Sequence, residues 1–233
     1  MSSTPAPAGR KRVVHQLDTP FSSVAWPEIP PEDQDAILEL LCNLLSPIGH
    51  HRRTYSQPSK GKRAARKAQK NEQNAKAPST GTPQSPELAA KVDIGFNSIT
   101  RSLESMTASF EQPAEPYSMI FVARGNQSAP FNSHFPQMTG AASRNLPPDQ
   151  RIRLVGFSKP CSARISQCLG IARVSSVAIL RDAPGAEALW TFVQKVVDPV
   201  ETSWLRATAE PQYKDTKIIT SEVPIGSKRI KHS

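Results

Sequence analysis

The heptapeptide Gly95-Phe96-Asn97-Ser98-Ile99-Thr100-Arg101 carries the side chains of this sequence best suited to reading another molecule. At helical spacing Asn97, Thr100 and Arg101 share one side, while Ile99 and Leu103 face elsewhere. An asparagine amide offers a donor and an acceptor together to a base edge, and an arginine forks onto a guanine or a phosphate. The pattern therefore suits RNA contact at a helix N-terminus. An ordinary helix start, with Asn97 as N-cap and Arg101 in solvent, fits the same spacing. A second candidate is electrostatic. Between Arg52 and Lys76 stand Arg52, Arg53, Lys60, Lys62, Arg63, Arg66, Lys67, Lys70 and Lys76 against the single acid Glu72, so that nearly all of the net charge of +9 sits in this stretch. Such a run is the footprint of a phosphate-binding arm, because neutralised phosphates release their counterions; a nuclear-import signal has the same composition.

The residues that would carry catalysis are dispersed. Five histidines are scattered, His50-His51 and His134 lack metal-ligand spacing, and neither GxxxxGK[ST] nor GxSxG occurs. Gly125-Asn126-Gln127-Ser128 lacks the paired glycines of a phosphate loop and reads as a turn. Cys42, Cys161 and Cys168 have no CxxC spacing, and Cys161 and Cys168 lie two helical turns apart on an apolar stripe, which is a core pattern. No disulfide framework, metal site, cofactor or small-molecule substrate is expected, and an enzyme is the class with least support. The opening MSSTPAPAGRKRVV has no apolar core of a signal peptide, and no run of about 18 apolar residues occurs, so a chain working inside the cell and off the membrane is expected.

The elements that must position these residues can be read in order. With 22 prolines, 6% aromatic residues and a mean hydropathy of -0.44, a large part of the chain cannot bury enough apolar surface to fold, so one domain plus disordered segments is expected. Residues 1–30 read as an extended arm. A helix starts at Pro31 with Glu32, Asp33 and Asp35 at its positive end and Ile37, Leu40, Leu41 and Leu44 on one face; Pro47 and Gly49 are expected to end it. Residues 51–85 form a basic, low-complexity insertion. Leu88, Val92, Gly95 or Phe96, Ile99 and Leu103 fit one side of a helix. Met119-Ile120-Phe121-Val122-Ala123, Ile152-Arg153-Leu154-Val155 and Val177-Ala178-Ile179-Leu180 read as buried strands. Between the last two, Ser158 as cap, Pro160, the stripe Cys161, Ile165, Cys168 and Leu169, and Gly170 as left-handed stop mark a helix, making a βαβ unit. A last helix spans Ala186 to Val197. The class is α/β: one three-layer α/β/α sandwich with a small mixed sheet, assembled from residues 31–50 and 86–205, and followed by a tail at 206–233.

The order of these pieces resembles the kink-turn-binding family of ribosomal and small-nucleolar ribonucleoprotein subunits over roughly residues 87–197. That family's Gly-x-Asn-Glu-x-Thr-Lys signature is matched by Gly95, Asn97, Ser98, Thr100 and Arg101, with Ser98 in place of the acid and Arg101 in place of the lysine. Its strand, Pro and His-hydrophobic-Pro series is similar to Met119–Ala123, Pro130 and His134-Phe135-Pro136. Its Leu-Gly segment and apolar loop are similar to Leu169-Gly170-Ile171-Ala172-Arg173-Val174, and the resemblance implies that Ile171 and Val174 pack against an unstacked nucleotide. Thr19-Pro20-Phe21, Trp26-Pro27, Pro31-Glu32-Asp33, Leu44-Leu45-Ser46-Pro47-Ile48-Gly49 and His51-Arg52 resemble, more narrowly, the fungal Pop-three family of ribonuclease P and ribonuclease MRP protein subunits, whose animal counterpart is a thirty-eight-kilodalton subunit. This resemblance implies an accessory role beside an RNA catalyst that trims precursor transfer RNA and processes ribosomal RNA precursors. It further implies an RNA partner, other protein subunits of the same particle, a nuclear and nucleolar location, and no catalytic residue. The alternative from another class is a protein-interaction scaffold without its own sequence-specific RNA binding, with Phe21, Trp26 and the first helix docking a neighbouring subunit. A ribosomal or small-nucleolar kink-turn binder is the nearer variant.

Overall fold

A computed structural model describes residues 11–18, 24–55, 85–108, 115–202 and 215–224. Val24–Thr202 forms one unit, and the described residues of the two ends form another.

In the first unit, helix α1 spans Pro31–Tyr55. Glu32 and Asp33 sit in its first turn and Arg52 and Arg53 in its last, each favourable to the helix dipole. Ile37, Leu41, Leu45 and Ile48 are buried on one stripe. The helix does not end at Pro47 and Gly49 as the sequence led us to expect. Pro47 is exposed, so its ring and missing donor fall on the solvent side, while Ile48 and Gly49 carry the buried face onward. At Gly49 the contact is backbone to backbone: an added Cβ would lie 1.7 Å from the Cys168 carbonyl oxygen.

The expected helix through Leu88, Val92 and Ile99 is in fact three pieces. A 3-10 turn covers Glu87–Lys91, strand β2 covers Val92–Ile94, and helix α2 runs Phe96–Ala108. The break is Gly95, whose φ of 98° lies in the region that side chains disfavour. Strands β3 (Tyr117–Val122), β4 (Arg153–Gly156) and β5 (Ser176–Leu180) complete a mixed sheet in the order β2-β5-β3-β4. Every residue of β3 is buried, as its unbroken apolar run requires. An irregularity between Tyr117 and Met119 shifts the pleat, and the Ser118 hydroxyl donates to the Ile179 carbonyl at 3.1 Å.

Helices α3 (Phe135–Ala142), α4 (Ser162–Leu169) and α5 (Glu187–Val196) follow. One face of the sheet, through Met119, Phe121, Val155, Val177 and Ile179, packs on α1, α4 and α5. The other, through Ile120, Val122, Leu154 and Ala178, packs on α2 and α3. This is the three-layer α/β/α sandwich expected from the sequence. Its wiring differs in one respect. β4 runs parallel to β3 and β5 antiparallel to it, so β4-α4-β5 is not a parallel βαβ unit; the parallel crossover is β3-α3-β4. Short apolar runs specify burial on both faces but carry no sign of strand direction.

The second unit is a ribbon. β1 (Lys11–Asp18) pairs antiparallel with β6 (Lys217–Pro224), from Lys11 opposite Pro224 to Asp18 opposite Lys217. Lys11 binds Glu222 at 3.2 Å and Lys217 binds Asp18 at 3.0 Å. The segments read as arm and tail thus contribute paired strands, for which Val13, Val14, Ile218, Ile219 and Thr220 have the β-branched chemistry.

Candidate nucleic-acid interface

The carboxyl ends of β2, β3 and β4 and the start of β5 lie at one end of the sheet, where β2 leads into the Gly95 motif and the 170–174 loop leads into β5. The Gly95 N–H donates to the Ser176 carbonyl at 2.9 Å, and the Gly95 carbonyl accepts from the Ile99 N–H at 3.3 Å, which opens α2 beside the first residue of β5. Ile99 and Leu103 are wholly buried and fix the helix on the core. Asn97, Ser98 and Arg101 are exposed. Thr100 is half-buried and its hydroxyl donates to the Phe96 carbonyl at 2.6 Å, so it props the first turn. Asn97 is the second residue of the helix, inside it, and does not hold the capping position.

The loop that precedes β5 is pinned from two sides. Gly170, with φ of 66°, closes α4, and the Ile171 N–H reaches back to the Ser166 carbonyl at 3.0 Å. The Ser162 hydroxyl donates to the Val174 carbonyl at 2.6 Å, and the Val174 N–H donates to the Ser166 hydroxyl at 2.9 Å. Within this loop Ala172 and Arg173 are exposed and Ile171 is half-buried against the core. The Val174 side chain is 1% exposed and belongs to the core.

The end of α1 reaches the same loop. Arg53 Nη1 donates to the Gln167 carbonyl at 2.7 Å, and Arg52 Nη1 to the Leu169 carbonyl at 3.4 Å. Two guanidinium groups thereby sit at the negative pole of α4, Arg53 as a second donor to a carbonyl that also accepts from the Gly170 N–H. Burial lowers the Arg52 pKa from its usual value. Of the basic run, Arg52 and Arg53 are therefore helical residues with a structural task. Lys60, Lys62, Arg63, Arg66, Lys67, Lys70 and Lys76 lie outside the described residues, as do Phe21, Trp204-Leu205 and the Lys228-Arg229-Ile230-Lys231 tail.

Three features escaped sequence reading. The cap of α4 is not Ser158, whose N–H and hydroxyl donate to the Gln34 carboxamide oxygen at 2.9 and 3.0 Å. It is Asn126, whose Oδ1 accepts from the Cys161 and Ser162 N–H groups at 3.0 and 3.1 Å. Trp26, read as a docking residue, lies over Gly156 with the Arg124 guanidinium 4.4 Å from its ring centroid and Phe135 at 6.5 Å. Third, Phe96, Phe131, His134 and Phe135 form an aromatic cluster beside the start of α2. Burial lowers the His134 pKa, so the ring stays neutral there. Burial, with Cys168 alongside, raises the Cys42 thiol to about 12, and burial raises Cys161 to about 11.

An α/β/α sandwich with exposed polar and charged side chains, among them Asn97, Arg101 and Arg173, at one end of its sheet defines a class of small domain in which side chains are presented on a rigid frame. Residues 74–207, more than half of the chain, match the family described as RNase P subunit Pop3, and the chain belongs to that family. It is similar to the ribonucleases P/MRP protein subunit pop3 of Schizosaccharomyces pombe, with 29% identity over 139 residues that cover 58% of this chain and 65% of that protein. The chain thus spans just under two thirds of the length of that relative. The matched range holds α2, the 170–174 loop and Asn126, and leaves α1 outside it.

Proposed function

We propose that this chain is an RNA-binding protein subunit of ribonuclease P and ribonuclease MRP that supports, without performing, the cleavage of precursor transfer RNA and ribosomal RNA precursors. The observation that carries the reading is the hydrogen bond from Gly95 to Ser176, which ties the helix start bearing the exposed Asn97, Ser98 and Arg101 to the strand that follows the loop bearing Ala172 and Arg173. Membership of the RNase P subunit Pop3 family supports it. In this reading Asn97 and Arg101 meet base edges and phosphates of a folded RNA element, and Arg173 adds a phosphate contact. In this reading the basic run that follows Tyr55 in sequence supplies sequence-independent affinity. The other protein subunits of the particle are its neighbours, and the nucleus, with the nucleolus for the ribosomal RNA work, is its place.

The test is binding of the purified full chain to the ribonuclease P RNA of its own organism across a salt titration. Tight binding with a steep salt slope is expected. Replacing Lys60, Lys62, Arg63, Arg66, Lys67 and Lys70 with glutamine should reduce the magnitude of that slope by up to about 4, at roughly 0.7 per phosphate contact on single strands. An unchanged slope would remove the basic segment from the interface. No measurable binding in the absence of other subunits would favour the scaffold alternative.

A further inference from the structure

We infer that Phe131 is a stacking platform for an unpaired nucleobase, extending the RNA contact of the α2 start by one position; the inference rests on the RNA-binding reading above. Phe131 is 44% exposed although it lies within the folded unit. Its ring centroid is 4.4 Å from that of Phe96 at an interplanar angle of 33°, and Phe96 is the residue immediately before Asn97. Phe96 is in turn held by His134 at 4.8 Å and by the wholly buried Phe135 at 5.6 Å. The exposed ring is thus backed by a rigid aromatic wall, which limits the ordering cost of stacking a base on it.

Chemistry in the same turn points the same way. Gln127 Oε1, Asn132 Oδ1 and His134 Nε2 are buried with no hydrogen-bond partner among the described residues, and Asn132 is only 3% exposed. Buried polar atoms without partners are uncommon in folded chains, and three of them within eight residues mark a turn that is incomplete by itself. A nucleobase brings a ring face that fits Phe131, and its polar edge suits a turn that carries Gln127, Asn132 and His134. A purely apolar partner would match Phe131 alone. Arg101, one turn from Asn97 on α2, is an exposed cation on the same helix start.

The experiment compares Phe131→Ala, Phe131→Leu and Phe131→Tyr in the full chain, measuring affinity for the ribonuclease P RNA of the same organism and the melting temperature of each variant. Loss of a stacking aromatic should weaken binding by about 5- to 150-fold in the alanine and leucine variants, while tyrosine, which keeps the ring face, stays within about twofold. The leucine and tyrosine pair decides the matter even if alanine lowers the melting temperature. Equal binding by all three variants would overturn the stacking role and leave the RNA-binding reading intact. Wild-type protein that fails to bind the RNA would overturn both. Unchanged RNA affinity with loss of a protein subunit from particles carrying the leucine variant would assign the ring to a protein neighbour, and so overturn the inference.

Discussion

Gly49→Ala should lower the melting temperature of the Val24–Thr202 unit by about 6–12 °C, the largest effect expected of any single substitution considered. The new Cβ would stand 1.7 Å from the Cys168 carbonyl oxygen, 2.7 Å from its carbon and 3.0 Å from the Leu169 carbon, all of them backbone atoms that cannot rotate aside. Relief requires α1 and α4 to separate along a seam that also holds Ile48, Leu45, Ile165 and Leu169 in the core. Overpacking of this kind costs about 3 kcal/mol or more. For a unit of this size each kcal/mol is worth roughly 2–4 °C. Thermal melting of the variant checks the figure. A functional consequence follows, because α4 carries the 170–174 loop: at temperatures where the variant is still folded, its RNA affinity should fall although no residue of the proposed interface has changed. A variant that melts with the wild type would mean that α1 does not approach α4 at Gly49.

Asn97→Ala and Arg101→Ala should each weaken RNA binding by about 1–3 kcal/mol, the worth of a well-placed base or forked contact, and should leave the melting temperature where it was. The second half of this expectation comes from the geometry. Both side chains are exposed, and Asn97 does not cap α2, so neither truncation opens a cavity or strands a buried partner. Arg101→Lys separates a fork from a point charge: it keeps the cation but loses bidentate geometry, and should recover only part of the affinity. The two residues sit one turn apart and share a ligand, so the double substitution need not equal the sum of the single ones. Binding curves beside melting curves check all four variants. A drop in melting temperature for Asn97→Ala would return that residue to a structural role.

Where the chain repeats at a helical or strand period, its fold was legible. The face Ile37, Leu40, Leu41 and Leu44 announced α1, in which Leu40 and Leu44 are half-buried, Gly170 stopped α4 where a left-handed residue was needed, and the unbroken run of β3 announced a strand covered on both faces. Features that depend on distant partners were not legible. Val92 also fits a helical spacing with Leu88 and Ile99, and only pairing with Ile179 makes it part of a strand. Asn126 caps a helix from 35 residues upstream in the chain, so the nearer Ser158 looked the better cap. The ribbon joins distant residues such as His15 and Thr220, 205 positions apart, and no local signal reports such a pairing. Continuation of α1 past Pro47 was masked by a breaker whose cost falls on the exposed face.

The candidate site divides along the same line. Gly95, Asn97 and Arg101 were visible as a short motif with defined chemistry, and the structure adds that Gly95 has the positive φ such a helix start uses. Arg52 and Arg53 looked like the first cations of a solvated arm; the Leu169 and Gln167 carbonyls at the end of α4 give them another task. Phe131 carries no motif at all. Its interest lies in being exposed, backed by Phe96 and placed beside Asn97, and each of these is a property of three-dimensional arrangement.

The most direct measurement is purification of the tagged full chain from its own organism, followed by sequencing of the RNA that accompanies it, for the wild type and for the Asn97→Ala/Arg101→Ala variant. Ribonuclease P and ribonuclease MRP RNAs should be enriched with the wild type, and their recovery should drop with the variant at equal protein level. Enrichment of neither RNA with the wild-type chain would contradict the assignment.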